Sequence, residues 1–209
     1  MQVAGPKSPP KATKTMPGPL NFISNRTAMS AKKPTPTWID VKTKLSNFDQ
    51  AALISLVQDL YAASKDTRTF LHVRLRLGGD ALAPYKASID CWLWPAVLQQ
   101  QDTSVAKAKK AIADYKKASG TADGLAELKV FYCEQASGFS NDVSLDDEGY
   151  LDALVRMFGQ ALKAIDTLPQ TQRPALLSRL DAVRQIRHAI GYGVGEDMDS
   201  LLHEHGGYG

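Results

Sequence analysis

The chain has 209 residues, of which 44% are hydrophobic and 22% charged, and this composition suffices for one ordinary domain with its own core. The formal net charge of +3 comes from residues 1–37, which contain six basic residues and no acid, so it is no argument for a nucleic-acid-binding body. Two cysteines are too few for a disulfide framework, and no apolar run approaches a membrane span in length. We therefore expect a cytoplasmic protein with reduced thiols and no membrane partner.

The first 37 residues are rich in proline and lysine and show no apolar periodicity, as in "GPKSPPKATKTMPGP". Such a segment cannot bury enough surface to offset its ordering entropy. We predict a disordered tail over residues 1–37 and a single all-helical domain over residues 38–209. Because Met29 opens "MSAKKPTPTW", which has the pattern of an ordinary protein start, residues 1–28 are either a genuine basic tail or an overlong start. We favour the second.

The domain begins with two helices that each carry apolar residues on one face. The first is short and lies in "TWIDVKTKL". The second lies in "SNFDQAALISLVQDLYAAS" and has Asp49 as its predicted N-cap. Its apolar stripe, at helical spacing, consists of Leu53, Leu56, Val57, Leu60 and Tyr61.

The next segment, "TFLHVRLRLGG" at residues 69–79, fits two patterns. With period two it is a half-buried strand, and with period 3.6 it is the end of a helix. An acid at the start (Asp66) and two glycines at the end (Gly78 and Gly79) are helix signals, and a lone strand would leave its backbone groups unpaired. We therefore predict a helix that stops at the two glycines.

This helix places Arg74 on its apolar side. A buried arginine requires a paired charge. Asp40, Asp59 and Asp90 are the candidate partners, and we predict a buried ion pair between Arg74 and Asp90.

The remainder of the chain continues the helical pattern without a convincing strand pair. The helices lie in the segments 102–120, 124–139, 146–169, 173–193 and 196–205. The predicted fold is all-α, with about seven to eight helices packed as successive antiparallel helical hairpins. The hairpins at 102–139 and 144–190 also resemble paired-helix repeats of the tetratricopeptide or HEAT kind in size, though not in residue signature.

Several stretches carry a more specific resemblance, above all "KAKKAIADYKK" followed by "GLAELKVFYCE". Together with "YKASIDCWLWP" and "AIGYGVGEDMDSLL" they resemble a bacterial all-helical family of unknown function over about residues 38–202. The resemblance implies an all-helical, cytosolic protein. It brings no assigned activity, so it transfers no functional residue.

The most basic helix offers a candidate nucleic-acid site. A phosphate-contacting surface would use its lysines, but their spacing also suits the solvated face of an amphipathic helix, and we favour the second interpretation. The lysines are Lys107, Lys109, Lys110, Lys116 and Lys117.

The other polar motifs are better explained by structure than by chemistry. His203 and His205 diverge on a helix and do not form a metal pair, and the glycines of "GYGVGED" follow a helix instead of a strand. Cys91 and Cys133 lie among aromatic residues, so we predict that both are buried. We predict no catalytic residue, no metal and no cofactor.

The function that these patterns favour is a non-enzymatic protein–protein interaction module, an adaptor or scaffold that binds a protein partner along a concave helical surface. One alternative is a nucleic-acid-binding accessory protein that uses the lysine-rich helix. A second is an enzyme whose residues converge only in the folded chain, with His72, Arg74 and Asp90 as starting points. The sequence does not predict the oligomeric state.

Overall fold

The protein is described from a computed structural model, which covers residues 35–95, 101–145, 147–190 and 193–205, with only the backbone for 188–190. The predicted tail falls outside these residues up to position 34, and the predicted overlong start falls outside them entirely. The all-α prediction is confirmed, since the described residues form helices and no strand. The helices are α1 Trp38–Leu45, α2 Gln50–Ala63, α3 Lys65–Arg74, α4 Ala83–Leu93, α5 Val105–Ala118, α6 Ala122–Asp142, α7 Glu148–Asp166, α8 Arg173–Ile190 and α9 Val194–Glu204.

The chain divides into two units, Met1–Asn47 and Phe48–Gly209. In the first unit the described part consists of α1 and the residues next to it. The backbone N–H of Thr37 donates to the Asp40 carboxylate at 2.7 Å, which closes the first turn of α1 and lowers the pKa of that carboxyl group. No residue of α1 is buried.

In the second unit, α6 is the central helix of the core. It packs against α4, α5, α7 and α8, and α7 and α8 both pack against α9. The helical spacing in this segment predicts a six-residue apolar stripe on α7, of which five members are buried and Val155 is half-buried. Its buried members from the sequence pattern are Leu151, Leu154, Phe158, Leu162 and Ile165.

The segment 69–79 is helical, as predicted, but α3 ends at Arg74 and not at the two glycines. Arg76 adopts the left-handed conformation, with φ of 56°. The N–H of Arg76 then donates to the Val73 carbonyl at 3.2 Å, and the N–H of Leu77 donates to the His72 carbonyl at 2.7 Å. This pair of hydrogen bonds is the Schellman motif, so an arginine occupies a position that usually holds glycine.

Two further details of the prediction differ from the structure. The segment that begins at Asp102 predicts that residue as the N-cap of α5, but the N-cap is Ser104, whose hydroxyl accepts a hydrogen bond from the Lys107 N–H. A separate helix, α4, occupies Ala83–Leu93, where no helix was delimited from the sequence. Pro84 lies in its first turn, where the helix does not need the N–H group that proline lacks.

Candidate functional site

The clearest surface feature of the second unit is an apolar face on α2. None of the 14 residues of α2 is buried. Five of its large apolar side chains are 38–60% exposed. Their spacing places them within one arc of the helix, and serine, glutamine and aspartate lie on the opposite side. We call them the α2 face: Leu53, Ile54, Val57, Leu60 and Tyr61.

The α2 face is held on α3 by a limited set of contacts. Leu56 points away from the most exposed part of α2 and is half-buried. The Tyr61 hydroxyl and the His72 Nε2 lie 3.0 Å apart, and the two rings have their centroids 5.6 Å apart. Beyond the end of α3, Leu75 and Leu77 are also exposed. The α2–α3 hairpin therefore has a defined position but leaves much apolar surface in contact with water.

Three of the five lysines of the predicted nucleic-acid site have partners within the protein. The Lys107 Nζ lies 3.6 Å from the centroid of the Trp92 ring, which is a cation–π contact. Lys110 forms an ion pair with Asp114 and lies 3.7 Å from the Asp66 carboxylate, and Lys117 lies 3.7 Å from Asp114. The ion pairs with Asp66 and Asp114 neutralise part of the positive charge of α5.

The other two lysines, Lys109 and Lys116, are half-buried and exposed, respectively. The opposite face of α5 is buried through Ala108, Ala111 and Ile112, as expected for an amphipathic helix. The arrangement agrees with a solvated lysine face. Nucleic-acid binding by these residues stays a prediction.

The buried ion pair predicted between Arg74 and Asp90 is not formed. Both residues are exposed, and the Arg74 Nη1 donates to the Ala118 carbonyl at 3.4 Å instead. Ala118 is the last residue of α5, so the guanidinium caps a helix end, where unpaired carbonyls and the helix dipole favour a cation. The periodicity placed Arg74 near the apolar side of α3, but that side remains largely open to solvent.

The two cysteines lie in different environments. Cys133 is fully buried, and burial raises the pKa of its thiol. Cys91 is exposed, contrary to the prediction, and lines an open cleft of about 590 Å³ between α3, α4 and α5. Charged residues at the rim of the cleft, including Asp66 and Lys110, already pair with each other or with Asp114.

A buried polar cluster that the sequence analysis missed lies between α6, α7 and α8. Arg187 is only 2% exposed, and its Nη1 donates to the Ser140 hydroxyl at 2.9 Å. Its Nε and Nη2 have no hydrogen-bond partner in the described part of the chain. Burial lowers the pKa of this guanidinium, because the charged form is poorly solvated there.

Three more hydroxyl groups are buried on α6 and α7. The Tyr132 and Ser137 hydroxyls are buried and, like the free edge of Arg187, have no hydrogen-bond partner among the described residues. The Tyr150 hydroxyl donates to the Leu93 carbonyl at 2.9 Å. Burial raises the pKa of Tyr150, and the positive charge of the nearby Arg187 opposes that rise.

The spacing of α8 contains a signal for this cluster. Arg187 follows Leu180 by seven residues and Val183 by four, so all three lie on one face, and all three are buried. The helical spacing of apolar residues in this segment also predicts a buried Ile186, but this side chain is 39% exposed. The stripe therefore continues through the arginine and not through the isoleucine beside it.

An ion-pair network joins α4, α6 and α8 on another side of the core. Arg179 on α8 contacts both Glu127 and Glu134 of α6 at 2.6–2.7 Å, and Lys86 of α4 contacts Glu127 at 2.6 Å. Burial would raise the pKa of Glu127, but hydrogen bonds from Arg179 and Lys86 outweigh it and hold that pKa below its ordinary value. Since every charged group in the network has a partner, we assign the network a role in stabilising the fold.

The comparisons with known proteins add no relative: no protein-family model, no curated protein and no solved structure matches this chain. The resemblance to a bacterial all-helical family accordingly stays a prediction. Among the described helices, none combines the length and the hydropathy that a membrane span requires. In the same residues, no group of three or more histidine, cysteine or acidic side chains is placed to hold a metal ion.

Proposed function

We propose that this chain is a protein–protein interaction module, an adaptor or scaffold, and that the α2 face is its contact surface. The observation that carries the proposal is that α2 has five large apolar side chains on one face and that none of them is buried. Burying one such side chain fully contributes roughly 1.5–3 kcal/mol. A partner that covers the α2 face would therefore gain substantial binding free energy.

The chemistry of the α2 face indicates the type of partner. It is apolar, with a tyrosine at one end, and such surfaces pair with an apolar patch or with the apolar side of a helix. The cytoplasmic location and the bacterial family predicted from the sequence belong to the same proposal. Nucleic-acid binding is the weaker alternative, because Lys107, Lys110 and Lys117 are already engaged within the protein.

A matched pair of variants on α2 tests the proposal. Val57→Asp introduces a charge into the α2 face, whereas Ser55→Asp introduces the same charge on the polar side of the same helix. We expect both variants to fold, with circular dichroism like that of the wild type, because neither site is buried. Affinity capture from native cells should recover a partner with the wild type and Ser55→Asp but not with Val57→Asp.

Two further measurements distinguish a protein partner from a second copy of the chain and from nucleic acid. Sedimentation of the purified full chain shows whether the partner is a second copy, which Val57→Asp would convert to a monomer. Capture with and without nuclease, together with the variant Lys109→Gln/Lys110→Gln/Lys116→Gln, detects binding through nucleic acid. A partner that is lost on nuclease treatment and in the lysine variant, but kept in Val57→Asp, would overturn the proposal.

A further inference from the structure

The α2 face has a spacing that is symmetric about Val57. Leu53 and Tyr61 lie four residues before and after Val57, and Ile54 and Leu60 lie three residues before and after it. At about 3.6 residues per turn, the five positions span an arc of about 120° with Val57 at its centre. All five side chains are exposed. The face therefore presents the same spacing of apolar side chains when it is read from either end of the helix.

This symmetry is the one that a two-fold axis requires. In a symmetric pair the same patch serves both copies, so each contact between two different residues occurs twice. Two antiparallel copies of α2, related by an axis through Val57, place Val57 against Val57. Ile54 then meets Leu60, and Leu53 meets Tyr61. Every large apolar side chain of the face obtains an apolar partner in this arrangement, whereas an unrelated partner requires no symmetry in the face.

The charges of α2 permit the same arrangement. Its single charged residue is Asp59. Asp59 follows Val57 by two positions and so lies on the far side of the helix, about 160° from the centre of the face. Two copies that meet at Val57 therefore bring no like charges of α2 together, and their antiparallel helix dipoles oppose each other.

The exposed area of the α2 face fits a weak pair. A large side chain presents about 150–200 Å² in full, so five side chains that are each about half exposed offer on the order of 400–500 Å² per copy. Two copies together would bury about 800–1,000 Å² of these side chains, which lies in the range of weak complexes, below about 1,200 Å². An area of this size predicts reversible association and not a permanent dimer.

We infer that the partner of the α2 face is a second copy of this chain, in a reversible, antiparallel two-fold pair of α2 helices centred on Val57. The inference rests on the proposed function, because it names the partner of the same surface. Tyr61 lies near each end of the pair, beside His72 of its own chain, so the centre of the contact is entirely aliphatic. A dimeric adaptor presents every remaining surface twice.

Sedimentation of the purified full chain, over concentrations from micromolar to millimolar, tests the pair. We expect the wild type to change from monomer to dimer within this range. Val57→Asp places two carboxylates against each other on the axis and should weaken association at least about 100-fold. Ser55→Asp, which carries the same charge on the polar side of α2, is the matched control and should associate like the wild type.

Disulfide formation tests the antiparallel arrangement. The exposed Cys91 is first replaced by serine, and the buried Cys133 is retained. With oxidised glutathione, Val57→Cys should form a covalent dimer, because the two copies of this position meet at the axis. Two copies of Ile54→Cys would lie about 9 Å apart along the pair. A mixture of Ile54→Cys and Leu60→Cys should therefore couple at least about tenfold faster than either variant alone.

Three results would overturn the inference. They are a wild type that stays monomeric throughout, a dimer that Val57→Asp does not weaken, and Ile54→Cys that couples to itself as fast as to Leu60→Cys. A monomeric wild type whose captured partner is still lost in Val57→Asp would overturn the inference and leave the proposed function standing. If neither sedimentation nor capture responds to Val57→Asp, both the inference and the proposed function are wrong.

Discussion

The helices α2 and α7 have the same kind of apolar stripe but opposite environments. In α7, ten residues are buried, among them Leu154 and Phe158. In α2, no residue is buried, although Val57 and Leu60 belong to an apolar stripe at helical spacing. The contrast shows that apolar periodicity predicts a helix and its apolar side, whereas burial depends on which other helices reach that side.

The neighbours of each helix explain the difference. α7 packs against α6, α8 and α9, so its stripe is covered from several directions. The main neighbour of α2 among the described helices is α3, a short helix with a single buried residue, Val73. The free energy of unfolding should therefore depend strongly on α7 and weakly on α2.

Truncating one apolar side chain in each helix gives the largest expected effect. Phe158→Ala leaves a cavity in the core and should lower the free energy of unfolding by about 3–5 kcal/mol. Leu60→Ala, at a side chain that is half exposed, should lower it by about 1 kcal/mol or less. Chemical denaturation of the two variants measures both values, and losses of similar size would show that α2 is covered in solution.

The same contrast shows what the sequence could predict. The stripe of α7 was correct in spacing and, except for the half-buried Val155, in burial, because a 19-residue helix with a continuous apolar side has few alternatives in an all-α core. The stripe of α2 was correct in spacing alone. Local sequence contains no information on whether a second surface covers it.

The two arginines show the same limit in another form. Arg74 and Arg187 each lie beside apolar residues in sequence, yet Arg74 is exposed and Arg187 is buried. The i, i+3 and i+7 spacing of Leu180, Val183 and Arg187 was visible in the sequence, so the place of Arg187 on α8 was predictable. The hydroxyl groups around it were not, because they come from α6 and α7.

Acid should weaken the network of α4, α6 and α8 before it affects the α2–α3 hairpin. The pKa of Glu127 is held below its ordinary value, so its stabilising contribution is present above the pKa of the unfolded chain, near 4.5, and is lost as pH falls through the lower folded value. Glu127→Gln should cost roughly 2 kcal/mol at pH 7 and reduce the dependence of stability on pH below about 4.5.

An exposed ion pair provides the control for this titration. Asp152 and Arg156 are 2.8 Å apart on the surface of α7, so Asp152→Asn should change the free energy of unfolding by about 0.5 kcal/mol or less. Urea unfolding at pH 3 to 7 measures both variants. If Glu127→Gln retained the full acid sensitivity of the wild type, the network would not be its source.

A small gain in stability is expected at two residues that have the same backbone strain in the two regions. Arg76 follows α3 and Ser144 follows α6, with φ of 56° and 50°, and both belong to Schellman motifs. The left-handed conformation costs a residue with a side chain about 1–2 kcal/mol. Glycine avoids that cost but loses about 0.5–1 kcal/mol more conformational entropy on folding, so each glycine variant should gain roughly 0.5–1 kcal/mol.

The contrast between the regions predicts where each gain appears. Ser144 is exposed, but it connects α6 and α7, whose packing forms much of the core, so Ser144→Gly should raise the global free energy of unfolding by the full amount. Arg76 belongs to a hairpin with few buried contacts, which should open before the core unfolds. Arg76→Gly should therefore slow hydrogen exchange of the α3 amides roughly two- to fivefold, which corresponds to the gain of about 0.5–1 kcal/mol, and change global unfolding less than Ser144→Gly. Equal gains in global unfolding would instead show that α2, α3 and the core unfold as one cooperative unit.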